Sequence, residues 1–298
     1  MRTAAAPGGI AYACLLCGSE NARTIRHQFS GRQATRLDRC LRCGLEYLCP
    51  TPSFETLKAI YTHDYFDAWG MASGECATVA TMKTATFLPY LERLTRMTHA
   101  GAILDVGTGT GFFLQAAERY GFQPYGIKLS DYAAAIAATK FAADRIHRGT
   151  LEDAPFPEHF FSAVTMFDVL EHLRDPVGSL VIARRLLRSG GVLVIVTPNT
   201  ASLTRRLMST AWLHYKLEHL SYWNPRTMRH VAEMTGYSVH SLTSAKKALT
   251  LGYARTHLLA YPVPILTVLA GRLQVPRRIA RRTLTMSIGE IAAYLRKR

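Results

Sequence analysis

Three groups of residues could do chemistry by their type and spacing. Cys14-Leu15-Leu16-Cys17 and Cys40-Leu41-Arg42-Cys43 are two C-x2-C pairs with 22 residues between them, each followed by a glycine, Gly18 or Gly44. Four thiolates on two such knuckles enclose one tetrahedral zinc, and a fully thiolate set leaves no open position for catalysis. The glycines let the chain turn so that backbone amides approach the sulfurs. Disulfides, disfavoured in a reducing compartment, and an iron–sulfur cluster are the competing readings. Cys49 and Cys76 read as free thiols.

The second group is Asp105-Val106-Gly107-Thr108-Gly109-Thr110-Gly111, preceded by the apolar Ile103-Leu104. A strand, a glycine-rich turn and a helix start at Thr110 bring backbone amides close to a ligand, and the helix N-terminus favours a carboxylate. The spacing is G-x-G-x-G; the last glycine of a dinucleotide G-x-G-x-x-G would fall at Phe112. The third group is suited to moving a proton. Asp168 stands at the expected end of a strand, where open α/β sheets bind ligands, and Glu171 and His172 follow within one turn. Glu218-His219 with Tyr222 and Trp223 makes a second polar and aromatic cluster. His172 is one candidate base and His219 its rival, because imidazole titrates in the useful range. Glu171-His172 could equally cap a helix or orient a loop, and Trp212, Tyr215, Tyr222 and Trp223 could simply close the core.

These groups need elements to position them. From Ala102 the periodicity predicts strands at Ile103–Val106, Pro124–Leu129, Arg145–His147, Ala163–Phe167 and Val192–Val196. Helices are expected at Phe112–Tyr120, Tyr132–Thr139 and Val177–Leu187, the last ending at a left-handed cap on Gly190-Gly191. A further helix, Thr227–Met234, and a strand, Tyr237–Leu242, follow. Strands alternating with helices predict a Rossmann-like, doubly wound, mostly parallel α/β sheet. The Cys-rich start forms a small zinc-ribbon module over residues 1–52, Ser53 being a candidate helix N-cap after Thr51-Pro52. A helical lead-in covers 53–100, and the main domain 101–298 carries a basic helical insertion at about 250–285.

A chain of 298 residues, 48% hydrophobic, buries an adequate core. Its net charge of +15 is uneven: residues 1–200 hold 20 Lys/Arg against 18 Asp/Glu, and residues 201–298 hold 16 against 3. That bias suits an anionic partner, or simply a solvated basic surface. The apolar run Leu258–Ala270 is too short to span a membrane and carries Pro262 and Pro264; Arg272, Arg277, Arg278, Arg281 and Arg282 crowd after it. Peripheral contact with an anionic inner-membrane face is one reading and a core-packed insertion the other. The N-terminus lacks an apolar signal core, so a cytoplasmic protein is expected.

Taken together, these motifs resemble the class I S-adenosylmethionine-dependent methyltransferases, more narrowly the bacterial ones that carry a zinc ribbon and act on sugars and natural products. The resemblance also rests on Tyr61 with Asp64-Tyr65-Phe66, on Gly149 through Phe156, on Thr197-Pro198-Asn199 and on Glu218-His219-Leu220. It implies S-adenosylmethionine as cofactor, with its methionine end at Asp105, Gly107, Thr108, Gly109 and Gly111, its adenine flanked by Leu151 and Glu152 with Asp153 nearby, and Asp168 at the reacting end. The family places an acid after the second strand for the ribose hydroxyls; this sequence has Lys128 there, which cannot accept those hydrogen bonds. Asp131 is a candidate compensating acid, an outward-pointing Lys128 another solution, and a phosphorylated dinucleotide the alternative cofactor. No Asp/Asn-Pro-Pro-aromatic sequence follows the fourth strand, so oxygen or carbon acceptors on a sugar, glycolipid or natural product are expected. An RNA methyltransferase and a non-catalytic binding module are the alternatives.

Overall fold

The computed structural model describes residues 12–27, 35–58, 77–253 and 282–298. A seven-stranded sheet runs, edge to edge, through β10 (Tyr237–Ser244), β13 (Glu290–Lys297), β8 (Leu187–Pro198), β7 (Phe161–Phe167), β4 (Ala102–Val106), β5 (Gln123–Lys128) and β6 (Ile146–Arg148). All pairs are parallel except those made by β13, which is antiparallel to both neighbours. The chain enters at β4, moves outward to β6, then returns to β7 on the other side of β4. Loops leaving β4 and β7 therefore diverge and open a crevice at the carboxyl ends of the strands, where such sheets bind ligands.

Both faces of this sheet are covered, which is why its strands are nearly continuous apolar runs. On one face α2 (Ala77–Met97) and α3 (Phe112–Arg119) bring Leu91, Leu94 and Phe113 against Ile103, Val192 and Val194, and α4 (Asp131–Ala138) adds Ala134 and Ala137. On the other, α5 (Pro176–Leu186) and α7 (Pro225–Met234), with the short α6 (Leu203–Met208) between them in the sequence, bring Leu180, Ala183, Met228 and Val231 against Leu104, Val164 and Ile195. Capping explains where α5 and α7 begin. Asp175 Oδ1 accepts from Gly178 N at 2.9 Å, and Asn224 Oδ1 accepts from the amides of Arg226 and Thr227 in a full capping box. Ser53 likewise caps the short α1 (Phe54–Lys58), accepting from Thr56 N at 3.2 Å.

One expectation changes. The helix before β8 ends at Leu186 in an extended Leu187, and Gly190 (φ 68°) instead sits inside the long strand, where the register with β7 jumps between Phe161/Leu187 and Ala163/Val192. The glycines thus serve a bulge rather than a helix cap. The apolar close of the chain is β13, inserted between β8 and β10.

At the N-terminus β1 (Ala22–Arg26), β2 (Arg36–Cys40) and β3 (Glu46–Cys49) form an antiparallel sheet whose fourth strand is β9 (Ser221–Tyr222). Leu16, Leu45 and Tyr47 belong to the same buried cluster as Leu104, Trp223 and Met228. The boundary near residue 52 is thus one of sequence, and the packing runs across it. A separate antiparallel pair, β11 (Lys247–Thr250) with β12 (Thr283–Met286), lies between β10 and β13 in the sequence. Leu258–Ala270 and the arginines from Arg272 to Arg281 lie outside the described residues, as do Tyr61, Asp64, Tyr65, Phe66 and Cys76. Among the described residues, no helix is long and apolar enough to cross a membrane.

Candidate active site

The glycine turn hangs from β5: the amides of Gly107 and Thr108 both donate to Ile127 O, at 2.9 and 3.1 Å. A Cβ on Gly107 (φ 76°) would lie 2.5 Å from Val169 Cγ2, so no other residue fits. Gly109 (φ 56°) is the opposite case, left-handed with nothing within 4 Å of where its Cβ would point. The hydroxyls of Thr108 and Thr110 are both buried; that of Thr108 lies against the Asp105 carboxyl, and that of Thr110 has no hydrogen-bond partner among the described residues. A buried hydroxyl left unpaired costs about 1–3 kcal/mol. The turn is thus shaped around polar groups that the polypeptide does not supply. Its helix starts at Phe112, where the periodicity placed it, with Gly111 (φ 89°) at the N-cap.

Asp105, 4% exposed at the end of β4, accepts from Thr165 Oγ1 at 2.6 Å. Burial outweighs that hydrogen bond and lifts its carboxyl to about 7. Its stabilising, protonated form is thus fully present below the unfolded value near 3.9 and is lost as pH rises through about 7. An asparagine side chain would mimic that form at every pH. Asp105→Asn should therefore be more stable than the natural protein at pH 8, by on the order of 4 kcal/mol, with the advantage gone near pH 4. Thermal melts of the cofactor-free proteins across that range check it, and a pH-independent difference would contradict it.

Lys128 ends β5; burial depresses its ammonium and the nearby charge of Asp105 opposes that shift. Leu151 is buried with Val106 and Ile127. Glu152 is exposed and accepts from Ser179 Oγ at 2.7 Å, while Asp153 holds the next turn through Thr150 N and His147 Nε2. Asp131 is exposed at the start of α4.

Proton-handling residues gather beyond β7. Asp168 takes a left-handed backbone (φ 55°), and its carboxylate meets Lys247 Nζ at 2.8 Å. Lys247 also bridges to the buried Glu290 at 2.7 Å. Burial would raise Asp168, but Lys247 more than compensates and holds it below the usual carboxylate range; Glu290 is lifted by burial to about 7. Replacing Lys247 by methionine strands two partly desolvated acids and should cost about 3–5 kcal/mol in denaturant unfolding. A loss under about 1 kcal/mol would mean that Lys247 does not hold the crevice together.

Glu171 lies in the short 3-10 turn Leu170–His172, 1% exposed, with Oε2 accepting from Thr197 Oγ1 at 2.9 Å. His172 Nδ1 pairs with Glu218 O at 2.9 Å and His219 Nδ1 with His214 O at 2.8 Å. The two rings meet edge to face, centroids 4.7 Å apart. Burial lowers both: His172 to about 4, His219 well below its ordinary value with the charge of His172 adding to the effect. The structure thus brings Glu171, His172 and His219 into one cluster. Tyr222 is fully buried, its hydroxyl donating to Lys216 O at 3.0 Å and accepting from Lys216 N at 3.2 Å. That side chain pins the loop carrying His219 and presents no hydroxyl to a substrate. Trp212, Tyr215 and Trp223 are buried too, the fate the composition made commonest.

Sequence reasoning missed Lys247, Glu290 and His214. Glu290 had a signal, a lone acid heading the apolar run Ile291–Leu295; Lys247 and His214, whose ring Nε2 reaches Ile288 O at 3.1 Å, are brought in only by the crossing of the last strands.

At the other end, the four cysteine sulfurs lie within 4.8 Å of one another, with Cys14–Cys43 and Cys17–Cys40 at 3.5 Å. That is far beyond a disulfide bond of roughly 2.05 Å and close to the roughly 3.8 Å edge of a tetrahedron with roughly 2.3 Å zinc–sulfur bonds. The donor set fits one zinc.

A family model for the methyltransferase domain matches residues 82–242. The chain belongs to that family. Among its relatives, ubiquinone biosynthesis O-methyltransferase of Alkalilimnicola ehrlichii is 30% identical over 155 residues, which are 48% of this chain and 62% of that one. Demethylmenaquinone methyltransferase of Tropheryma whipplei is 36% identical over 95 residues, 31% of this chain and 40% of that protein. The chain thus spans less than two thirds of the length of these relatives. A Haloferax volcanii methyltransferase candidate, solved with the Trm112 methyltransferase activator, shares the fold at a TM-score of 0.52 and 19% identity, over 78% of this chain and 96% of its own. A sarcosine dimethylglycine methyltransferase candidate from Galdieria sulphuraria does so at 0.52 and 14%, over 78% and 97%. Membership supports S-adenosylmethionine as the cofactor.

Proposed function

We propose that this protein transfers a methyl group from S-adenosylmethionine to an oxygen or carbon atom of a sugar, glycolipid or natural-product acceptor. The observation that carries the reading is the glycine turn, with a partnerless buried hydroxyl at Thr110, packed through Gly107 against Val169, the residue before the turn that holds Glu171 and His172. The cofactor supplies a methyl carbon already activated by its sulfonium. Gly107 through Gly111 hold its carboxylate and amine end, Leu151 and Glu152 border the adenine, and Lys128 beside Asp105 faces the ribose. Lys128 can donate to ribose oxygens, so recognition there runs through a donor in place of the usual acceptor. Asp168, fixed by Lys247, borders the reacting end.

What remains for the protein is to orient the acceptor and take its proton. His172 and His219 are neutral at physiological pH, so each has a lone pair to receive it, and the backbone carbonyls on their Nδ1 atoms fix which nitrogen carries the hydrogen. The four cysteines hold a structural zinc. The printed names of the relatives support a second acceptor class, a quinone precursor carrying a ring hydroxyl.

Calorimetric titration with S-adenosylmethionine tests the cofactor, and transfer of labelled methyl to a panel of nucleotide-sugars, glycolipids and phenols tests the acceptor. No binding at millimolar ligand would sink the enzyme reading. Gly109→Ala adds a methyl where the protein leaves open space, at a strain of about 1–2 kcal/mol. It should stay folded yet bind S-adenosylmethionine at least tenfold more weakly; unchanged affinity would move the cofactor away from this turn.

A further inference from the structure

We infer that Glu171, His172 and His219 form a binding site for one divalent cation at the acceptor side of the crevice. The inference rests on the methyltransferase reading only for what the cation would do; the site itself rests on geometry. Glu171 and His172 are adjacent in the turn after β7, and His219 arrives from the loop before β9. Each offers a ligand atom, and the three atoms lie within 4.8 Å of one another. Metal–nitrogen and metal–oxygen bonds of about 2.0–2.2 Å place ligand atoms roughly 3–4 Å apart, so closing on an ion takes shifts of about an ångström.

How the three side chains are held is the second argument. A carbonyl oxygen only accepts, so the contacts with Glu218 O and His214 O put the hydrogen on Nδ1 of each ring and the lone pair on Nε2. This is the arrangement by which backbone carbonyls orient metal-ligating histidines. Thr197 does the same for the carboxylate, donating to Oε2 of Glu171. Two nitrogens and one oxygen leave coordination positions open, as a site meeting a substrate must.

Charge is the third. Lys247 satisfies Asp168 and Glu290, whereas Glu171 is hydrogen-bonded by the neutral Thr197. A dication supplies the countercharge that the carboxylate lacks, and neutral imidazoles are the form that ligates. Lys216 stands near Glu171 and Lys83 near Asp168 and Glu290; both charges work against a cation here, and the three ligands must outweigh them. With Nε2 of both rings on the ion neither histidine is the base, and a cation here would replace that role: it would take the acceptor's oxygen as a further ligand and lower its pKa, the proton leaving to solvent.

Manganese separates this site from the cysteines, because a hard ion prefers nitrogen and oxygen to thiolate. Electron paramagnetic resonance of the full chain titrated with Mn2+, and with Co2+ as a second probe, should show one ion bound through nitrogen and oxygen. Affinity should fall at least a hundredfold in Glu171→Gln and in His219→Ala, and about tenfold in Thr197→Val, which removes only the orienting hydroxyl. Titration of the same variants with S-adenosylmethionine shows that they remain folded. Absence of binding of either ion up to millimolar concentration, or equal affinity in the variants, would overturn the cation site and leave the methyltransferase reading standing. Loss of S-adenosylmethionine binding in the natural protein would sink that reading instead.

Discussion

Cys43→Ser is expected to abolish the order of the N-terminal module and, with it, roughly 99% or more of methyl transfer, an effect on the scale of losing a structural metal. The connection runs through the chain's own hydrogen bonds. Cys40 ends β2, which pairs with β3, and β3 pairs in turn with β9, Glu46 facing Tyr222 and Tyr47 facing Ser221. Leu48 N donates to Leu220 O, the residue after His219. Glu46, 1% exposed, accepts from Tyr215 Oη at 2.6 Å and pairs with Arg39. The loop that carries His219 is therefore hung from the cysteine module on both sides.

Four thiolates holding one zinc are worth about 10–16 kcal/mol in small zinc-binding peptides, comparable with the whole stability of a domain. Losing one ligand removes much of that, and β9 loses its neighbour. The glycine turn is tied to β5 instead, so affinity for S-adenosylmethionine should change only a few-fold. Zinc content, protease sensitivity of residues 12–49, cofactor titration and turnover make the check. A variant that lacks zinc yet keeps a protease-resistant module and full turnover would show that the metal plays no part in building the site.

This coupling is also where the sequence fell short. The strands and helices from Ile103 to Val196 were legible because each segment's period is set by its own residues: Ile103, Leu104, Val164 and Ile195 must be apolar whichever neighbours they meet. The glycine turn and the cysteine pairs were legible for a similar reason, since backbone conformation and thiolate geometry impose residue types over short spans. Long-range pairing imposes no such types. Nothing in Ser221-Tyr222 announces a strand of the N-terminal sheet, and nothing in Lys247 announces an ion pair with Asp168, 79 positions earlier. Tyr222 shows the same limit: its aromatic, polar setting suited catalysis, yet its hydroxyl is taken up by the backbone of Lys216. Gly190-Gly191 failed differently, because a left-handed glycine serves a bulge as readily as a helix end and only the register of β8 on β7 distinguishes them.

His172→Ala and His219→Ala carry the second large effect. Losing a group that accepts a proton in the transition state lowers turnover by about 10²–10⁴. Because the rings touch at 4.7 Å, the two losses should be far from additive, the double variant being little worse than the poorer single one. Cofactor affinity should stay within a few-fold, since neither ring belongs to the glycine turn. The pH profile then distinguishes a histidine in this environment from an ordinary one. A base that protonates at about 4, as burial makes His172, keeps kcat/KM flat on the acid side down to that region, whereas an unperturbed imidazole would bend it near 6.5. An acid limb near that unperturbed value which persists in both variants would assign proton removal to another group. Unchanged turnover in both would refute a histidine in either part, as base or as ligand of a cation that prepares the acceptor. Reduced turnover together with lost Mn2+ binding in His219→Ala, but not in Lys216→Ala, would place the histidines around the ion rather than on the proton.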